Sequence, residues 1–375
     1  MSKRIFLASP TMHGDEQRFV QEAFDTNWIA PLGANVDGLE EDIVKYTGCG
    51  YAAALVSGTS AIHLALKLCG VKRDDIVFCS SLTFSATANP IAYEGATPVF
   101  IDSEKDTWNM DPEALEKAFE KYPNAKAVIS ANLYGTPAKL TKLSEICKKH
   151  QVPFIEDAAE SLGATYHGKM TGTFGEIGIF SFNGNKIITT SGGGMMVSRE
   201  EEKVKKARFL ATQAREPYRH YEHKEIGYNY RMSNVVAGIG RGQMLHLSEH
   251  IAKKTEIYQT YKKAFADIPE ILMNPFEENS VPNFWLSSIL IDPGCKVTPL
   301  MVMDALDQES IESRPIWKPM NLQPVFKACD FIQVVEGESV GQQIFEHGLC
   351  LPSDIKNTEQ DMERIIRIIR GLFGK

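Results

Sequence analysis

Short apolar runs alternate with stretches of helical periodicity between about residue 52 and residue 182. That alternation is typical of a layered α/β domain, in which helices cover a mainly parallel sheet. The apolar runs predict strands at 53–56, 76–79, 97–101, 127–130, 153–155, 177–180 and 195–197. We therefore expect an α/β fold built on one large, mostly parallel sheet of seven strands.

Amphipathic segments with a period of about 3.6 residues separate and flank these runs. They predict helices at 14–25, 60–68, 112–120, 140–150, 233–265 and 359–372. A proline-bounded stretch at 269–282 follows the longest of these helices and is typical of a domain boundary. The pattern predicts a large α/β domain, residues 1–265, and a small C-terminal α+β domain, residues 266–375.

Composition and charge narrow the class of protein. Of the 375 residues, 43% are hydrophobic and 23% are charged, which is typical of soluble globular chains. The net charge of −8 comes without a block of basic residues, which argues against a nucleic-acid partner. No apolar stretch is long enough for a signal peptide or a membrane span, and the seven cysteines form no CxxC pair. We expect a cytoplasmic protein with reduced thiols and no membrane partner.

A turn of small residues follows the first predicted strand. Gly58 lets the backbone approach a ligand closely, and Thr59 and Ser60 place hydroxyl groups at the positive end of the next helix. Such a turn can bind a phosphate group. The alternative is a plain Ser/Thr helix cap, and the turn alone leaves both interpretations open.

Carboxylates follow the strand predicted at 153–155. Glu156, Asp157 and Glu160 stand beyond the end of that strand, where open α/β sheets bind their ligands. Acidic residues in this position suit Mg²⁺ about as well as a basic cofactor atom. By themselves they leave both alternatives open.

A single lysine further along the chain favours a cofactor over Mg²⁺ as the ligand of this site. Lys186 lies among small and apolar residues, between the run 177–180 and the glycines 192–194. Poor solvation favours the neutral amine over the ammonium, and the neutral amine is the nucleophile that Schiff-base formation needs. The alternative is a lysine that extends from a strand end toward solvent.

With these residues in view, the chain resembles a known family over nearly its whole length. The resemblance rests on seven motifs in order, WIAPLG (28–33), SGTSA (57–61), TF (83–84), EDAAE (156–160), SFNGNK (181–186), GYNYRMS (227–233) and RPIWKP (314–319). The family is the DegT/DnrJ/EryC1/StrS group of sugar aminotransferases, which use pyridoxal 5′-phosphate (PLP). The resemblance implies PLP-dependent transferase fold type I, similar to aspartate aminotransferase.

The resemblance also implies roles for the cofactor-binding residues. Lys186 matches the lysine that forms the Schiff base with PLP, and Asp157 matches the partner of the pyridine nitrogen. Phe84 matches the ring that stacks on the cofactor, and Glu160 a residue near its phenolic oxygen. The phosphate contacts match Gly58, Thr59, Ser60 and Ser181, together with Asn229 from the neighbouring subunit. A homodimer with shared active sites is implied.

Other segments match loops that contact the sugar nucleotide in the family. Their residues are Asn27, Trp28, Ile29, Ala30, Arg231, Arg314, Trp317 and Lys318. Trp108 and Trp285 are interpreted as structural. No metal site is predicted, because His220 and His223 have no third ligand nearby in the sequence.

The resemblance also implies a class of substrate. The stretches 189–194, 212–216 and 312–318 are most similar to enzymes of bacillosamine-type pathways, which aminate C4 of a UDP-linked 2-acetamido-4-keto-2,6-dideoxyhexose. Glutamate would give its amino group to PLP, 2-oxoglutarate would leave, and pyridoxamine phosphate would aminate the sugar. The alternative is a GDP-4-keto-6-deoxymannose aminotransferase of the perosamine-forming type, which shares most of the motifs.

Two further alternatives are disfavoured by particular residues. PLP-dependent sugar dehydratases of this scaffold lack the Schiff-base lysine, which is present here as Lys186. A non-catalytic regulatory protein with the same fold would be expected to lose its cofactor contacts. Thr59, Asp157, Ser181 and Lys186 are all in place. We therefore predict an active aminotransferase.

Overall fold

A computed structural model describes residues 3–375 and shows helices packed against one large sheet. The α-helices are α1 (Asp15–Asp25), α2 (Ala34–Thr47), α3 (Gly58–Leu68), α4 (Ser85–Tyr93), α5 (Pro112–Lys121), α6 (Leu140–Lys149), α7 (Glu201–Ala211), α8 (Asn234–Met244), α9 (Leu247–Ala264), α10 (Pro299–Gln308), α11 (Val340–His347) and α12 (Glu359–Leu372). Short 3₁₀ turns cover Leu133–Gly135, Met320–Leu322 and Pro324–Phe326. Within residues 3–375, none of the helices is both long and apolar enough to cross a membrane.

The strands form a large sheet and two smaller ones. They are β1 (Tyr51–Leu55), β2 (Ile76–Ser80), β3 (Thr97–Ile101), β4 (Ala127–Ala131), β5 (Phe154–Asp157), β6 (Thr165–Tyr166), β7 (Lys169–Met170), β8 (Ile177–Ser181), β9 (Gly194–Ser198), β10 (Ile271–Met273), β11 (Ser280–Val281), β12 (Ser288–Ile291), β13 (Arg314–Pro315), β14 (Phe331–Ile332) and β15 (Gly348–Cys350). The large sheet has eight strands in the order β1-β9-β8-β5-β4-β2-β3-β14. Neighbours pair in parallel except β9, which runs antiparallel to β1 and β8.

The predicted strands are all present in the large sheet, each within two residues of its expected bounds. The expected count of seven is nevertheless wrong, because the sheet has an eighth strand, β14. Phe331 and Ile332 come from the C-terminal part of the chain and pair in parallel with β3. Two residues are too few to produce a periodic pattern, so the sequence carries no signal for this strand.

The helix predicted at 233–265 is two helices. α8 ends at Met244 and α9 begins at Leu247. The intervening Leu245 and His246 include no glycine or proline that would predict a break. Nε2 of His246 lies 2.9 Å from the Asp15 carboxylate on α1, so a tertiary contact accompanies the turn.

Side-chain caps define the starts of helices near the sheet and at the C-terminus. Ser57 Oγ accepts the Ser60 N–H at 3.0 Å at the start of α3. Asp111 caps α5, with Pro112 in its first turn. Thr358 forms a capping box at α12. These are the residue types that favour helix N-termini, and the predicted starts at 112 and 359 are correct.

A second core surrounds the antiparallel sheet β10-β12-β15-β13. It contains Tyr258 and Tyr261 of α9, Ile365 of α12, and Ile5 near the N-terminus. Ile5 also pairs with Ile311. N-terminal residues therefore pack with the C-terminal part of the chain. The division between residues 265 and 266 stays a prediction.

Candidate active site

Several strand ends meet at one edge of the large sheet, where a cavity of about 300 Å³ opens. Strands that run in the same direction bring the residues that follow them to this edge. Eight of the predicted residues line the cavity, namely Gly58, Thr59, Phe84, Asp157, Glu160, Ser181, Lys186 and Trp317. Residues far apart in sequence thus surround one space.

The N-terminus of α3 forms one wall of this cavity. Ser60 is buried behind the wall, where its N–H donates to Ser57 Oγ. The N–H groups of Gly58 and Thr59 have no acceptor within residues 3–375. A Cβ at residue 58 would lie 3.2 Å from Cβ of Ser181, so glycine permits the close approach. Free donors at a helix N-terminus, beside the Ser181 hydroxyl, suit an anion.

Asp157 is a buried carboxylate at the end of β5. Thr87 Oγ1 donates to its Oδ2 at 2.7 Å, and the Ala159 N–H donates to its Oδ1 at 3.1 Å. Burial raises the pKa of Asp157 above its ordinary value, while the Thr87 hydrogen bond and the charge of Lys186 oppose that rise. A cation placed against this carboxylate would stabilise its ionised form.

Glu160 lies between Lys186 and the backbone of Tyr134. Its Oε1 is 3.6 Å from Lys186 Nζ, and its Oε2 accepts the Tyr134 N–H at 2.6 Å. Burial raises the pKa of Glu160 to about 7, although the charge of Lys186 opposes this. Tyr134 has a φ of 53°, a left-handed conformation that bulky residues rarely adopt. Such a conformation persists only where the surrounding structure holds it, so the N–H is fixed toward Glu160.

The Lys186 side chain is 11% exposed and lies against an indole ring. Its Nζ is 4.1 Å from the ring centroid of Trp285. Nε1 of Trp285 donates to the Asn185 carbonyl at 2.6 Å, which fixes the ring beside the lysine. The interpretation of Trp285 as structural is therefore incomplete, because its ring also lines the cavity.

Two aromatic side chains, Phe84 and Trp317, also line the cavity. The Phe84 and Trp317 rings are 5.3 Å apart and tilted by 46°. The Trp317 N–H donates to Tyr134 Oη at 3.1 Å. Phe84 is half exposed, so one face of its ring is free to contact a planar ligand.

These side chains fit the groups of PLP. The cofactor has a phosphate for the donors at α3, an aldehyde for the Lys186 amine and a pyridine nitrogen for Asp157. The Asp157 carboxylate tests most directly whether the site fits PLP. It is buried and forms no ion pair within 4 Å in residues 3–375. A buried charge without a partner is costly, and a protonated pyridine ring would supply that partner.

Other predicted residues lie outside this cavity. Asn229 is exposed and pairs with Thr212. Arg231 lies in a separate cleft, with Nη1 3.8 Å from Glu40. Arg314 contacts Glu312, and Lys318 is exposed. The remaining ones, Asn27, Trp28, Ile29 and Ala30, belong to the loop between α1 and α2. Of the predicted substrate-binding residues, Trp317 alone lines the cavity within one chain.

Thr87 is a site residue that the sequence analysis missed. Its hydroxyl is 2.7 Å from that of Thr83, and both residues lie near the end of β2. The pair therefore continues the hydrogen bonding of Asp157 away from the cavity. The i, i+4 spacing of two threonines at a helix start was the available signal.

The chain is similar to several bacterial enzymes, two of which match it over nearly its whole length. EpsN of Bacillus subtilis (strain 168), a proposed pyridoxal phosphate-dependent aminotransferase, is 50% identical over 100% of this chain and 97% of its own. The GDP-perosamine synthase of Caulobacter vibrioides is 36% identical over 97% of this chain and 96% of its own. The UDP-4-amino-4,6-dideoxy-N-acetyl-beta-L-altrosamine transaminase of Campylobacter jejuni is 37% identical over 62% of each chain. The resemblance to UDP-sugar enzymes is thus supported over part of the chain only.

The fold has a solved counterpart in the aminotransferase TlmJ of Streptoalloteichus hindustanus. The two structures superpose with a TM-score of 0.90 at 26% identity, covering 99% of both chains. The model of the DegT/DnrJ/EryC1/StrS aminotransferase family matches residues 10–370. The chain therefore belongs to the DegT/DnrJ/EryC1/StrS aminotransferase family and is a PLP-dependent sugar aminotransferase of fold type I.

Proposed function

We propose that the protein transfers the amino group of glutamate to C4 of a UDP-linked 2-acetamido-4-keto-2,6-dideoxyhexose. The observation that carries the proposed site is the placement of Lys186 in one cavity with Asp157, Glu160 and the free N–H groups of α3. An amine nucleophile, a buried carboxylate and an anion site are what PLP-dependent amino transfer requires. The product would be a UDP-4-amino sugar for bacterial glycan synthesis.

Lys186 is the proposed nucleophile and base. When bound, PLP supplies an electron-poor ring that stabilises negative charge at the substrate carbon. Lys186 would hold the cofactor through its amine, and the free amine would move a proton to or from that carbon. Glu160, with Oε1 3.6 Å from Nζ, stabilises the amine when it carries a proton.

Asp157 is proposed to keep the pyridine nitrogen protonated. Thr87 and Ala159 hold both of its oxygens, so the carboxylate is oriented before the cofactor binds. At about 3 Å and an effective dielectric near 20, its attraction for a pyridinium is about 5 kcal/mol before desolvation is subtracted. Gly58, Thr59, Ser60 and Ser181 would hold the phosphate, while Phe84 stacks on the ring.

The proposed identity of the substrate's nucleotide depends on similarity to particular relatives. The Campylobacter relative, named for a UDP-4-amino sugar, supports the UDP assignment. GDP-4-keto-6-deoxymannose is a second candidate, because the GDP-perosamine synthase matches 97% of this chain against 62% for the UDP-sugar enzyme. Glutamate is the proposed donor for either sugar.

An amination assay with UDP-, GDP- and dTDP-linked 4-keto sugars distinguishes these candidates. We expect kcat/KM for the UDP sugar to exceed that for the GDP sugar by about tenfold or more, with one 2-oxoglutarate released per amino sugar. A higher kcat/KM for the GDP sugar would establish the second candidate instead. Failure to aminate any of the three sugars would contradict the proposed function.

The exposed predicted residues support a second chain at the site. Asn229 lies outside its own cavity, and Trp28, Ile29 and Phe84 are 49%, 54% and 51% exposed. Neighbouring exposed apolar side chains, such as those of Trp28 and Ile29, can form a patch that marks an interaction surface. We propose a two-fold symmetric homodimer in which Asn229 of each chain contacts the phosphate in the cavity of the other.

Complementation between inactive variants tests this arrangement. Lys186→Ala removes the nucleophile, and Asn229→Glu sets a carboxylate against the phosphate, so each homodimer should be nearly inactive. Refolding the two variants together makes half of the dimers mixed, and each mixed dimer has one of its two sites intact. We expect about one quarter of wild-type activity if chains pair at random.

The matched control mixes Lys186→Ala with a chain that carries both substitutions. That mixture contains no intact site in any pairing, so it should stay inactive. Differential tags measure the fraction of mixed dimers. If mixed dimers of the single variants form and activity does not rise, Asn229 does not act across the interface.

A further inference from the structure

Lys254 is a buried cation on α9. The residue is 5% exposed, whereas lysines are almost never buried without partners. Its Nζ donates to the carbonyl oxygens of Trp285 at 2.9 Å and of Ser353 at 2.5 Å. Burial lowers the pKa of Lys254 to about 8, and the Asp354 charge opposes this. The chemistry proposed above gives Lys254 no role.

The Trp285 carbonyl belongs to the residue whose ring lies against Lys186. One end of Trp285 is therefore held by Lys254, and the other end, Nε1, is held by the Asn185 carbonyl. Within residues 3–375, the carbonyls of Trp285 and Ser353 accept no hydrogen bond other than those from Lys254. Removing the Lys254 donors would leave both carbonyls unsatisfied in the interior.

The backbone before Trp285 also needs support. Phe284 has a φ of 50°, in the left-handed region that aromatic residues rarely adopt. Asn283 Oδ1 accepts the N–H of Trp285, the residue after Phe284, at 2.9 Å. Lys254 holds the carbonyl of the same tryptophan. A strained conformation persists only where surrounding contacts fix it, and Lys254 makes one of those contacts.

The loop that carries Lys186 has its own attachment to α9. His250, one turn before Lys254, donates from Nδ1 to the Ile187 carbonyl at 2.7 Å. Loss of Lys254 would therefore leave the backbone beside Lys186 attached. The loss of Lys254 should instead change the orientation of the Trp285 indole ring.

We propose that Lys254 is a positioning residue for Lys186 and acts through Trp285. The inference rests on the proposed function, in which Lys186 is the reactive amine. The indole ring lies against that amine, 4.1 Å from Nζ to the ring centroid, and limits the positions that Nζ can take beside Glu160. Lys254 sets the direction of the ring by holding the main chain from which it projects.

Trace labelling of the cofactor-free protein with acetic anhydride tests this proposal without catalysis. The rate at which the Lys186 peptide is acetylated, followed by mass spectrometry, reports how accessible its amine is to the reagent. In Lys254→Met the ring should lose its fixed position, and Lys186 should react about threefold faster or more. The matched control is Lys253→Met, because the adjacent Lys253 is exposed and pairs only with Glu256 in residues 3–375.

A double-mutant cycle tests the route through Trp285. Trp285→Phe keeps a ring but loses the bond to Asn185, so it should also accelerate labelling. If Lys254 acts through Trp285, the double variant should react no faster than the faster single variant, whereas independent effects would multiply. Unchanged labelling in folded Lys254→Met, or multiplied rates in the double variant, would overturn the proposal. If the methionine variant does not fold, Lys254→Gln takes its place: its amide keeps a polar group in the interior, but the shorter side chain holds the Trp285 carbonyl less firmly, so labelling should still accelerate, and unchanged labelling would again overturn the proposal.

Kinetics of the PLP-loaded enzyme give a second measurement. We expect Lys254→Met to lower kcat by about tenfold while KM changes by less than about twofold, because substrate contacts are retained. Different experiments would contradict the proposed function and this inference. Turnover by Lys186→Ala would contradict the first, whereas the labelling rates decide the second in either case.

Discussion

Replacing Lys186 with alanine is expected to lower turnover by a factor of about 10⁴ or more while the fold survives. The factor is large because one side chain both bonds to the cofactor and moves the proton. The fold survives because the Lys186 side chain faces a cavity rather than the packed core. Burial already raises the pKa of Glu160 to about 7, so this carboxyl can take up a proton when its cationic neighbour is lost.

Steady-state amination and the visible spectrum measure this result. The wild type should show the absorbance of PLP bonded to lysine, and borohydride should attach the cofactor to the peptide that contains Lys186. The variant should show neither, although added pyridoxamine phosphate can support a single half-reaction. Lys139→Ala is the matched control, because Lys139 is 13% exposed but pairs with Glu104. Near wild-type turnover by Lys186→Ala would refute the role of this lysine.

Asp157→Asn is expected to lower kcat by about 10²-fold or more and to weaken PLP binding much less. The substitution keeps the size of the side chain and removes the charge that holds the pyridine proton. Its amide can still accept the Ala159 N–H and donate to the Thr87 hydroxyl, which can in turn donate to Thr83. The phosphate donors at Gly58 and Thr59 are untouched. Turnover at saturating PLP and the Kd for PLP together measure the effect.

A second buried carboxylate provides the control for Asp157. Asp102 is 2% exposed and accepts the N–H groups of Val340 and Gly341 at 2.9 Å and 3.0 Å. Asp102→Asn should lower the melting temperature, because an amide cannot accept both bonds, and should leave kcat unchanged. If Asp157→Asn retains wild-type kcat at saturating PLP, its carboxylate does not hold the ring proton.

The strands and the inner part of the site could be predicted from the sequence for a physical reason. Buried parallel strands are continuous apolar runs, and the residues after them must meet at one edge of the sheet. Asp157 and Ser181 end such runs, and both line the cavity. The position of a side chain in the cavity follows directly from the end of its strand.

Features set by contacts between distant segments could not be predicted in this way. Trp285 lies in a loop between the second core and the cavity, and nothing local in its sequence distinguishes a packed ring from one that touches Lys186. The pattern around Arg231 gave no indication that this residue would lie outside the cavity of its own chain. β14 could not be predicted either, because its two residues join the sheet only through their pairing with β3.

Ile5 pairs with Ile311, which the ribosome adds about 300 residues later. Its neighbour Leu7 donates to Glu312 across 305 residues of sequence, and Ser9 donates to Asp354. Contacts between such distant segments form late, so we expect residues 5–9 to stay unpaired until residues 311–354 have been synthesised. These unpaired residues are then a target for chaperones, and the second core closes only after α12 has been released from the ribosome.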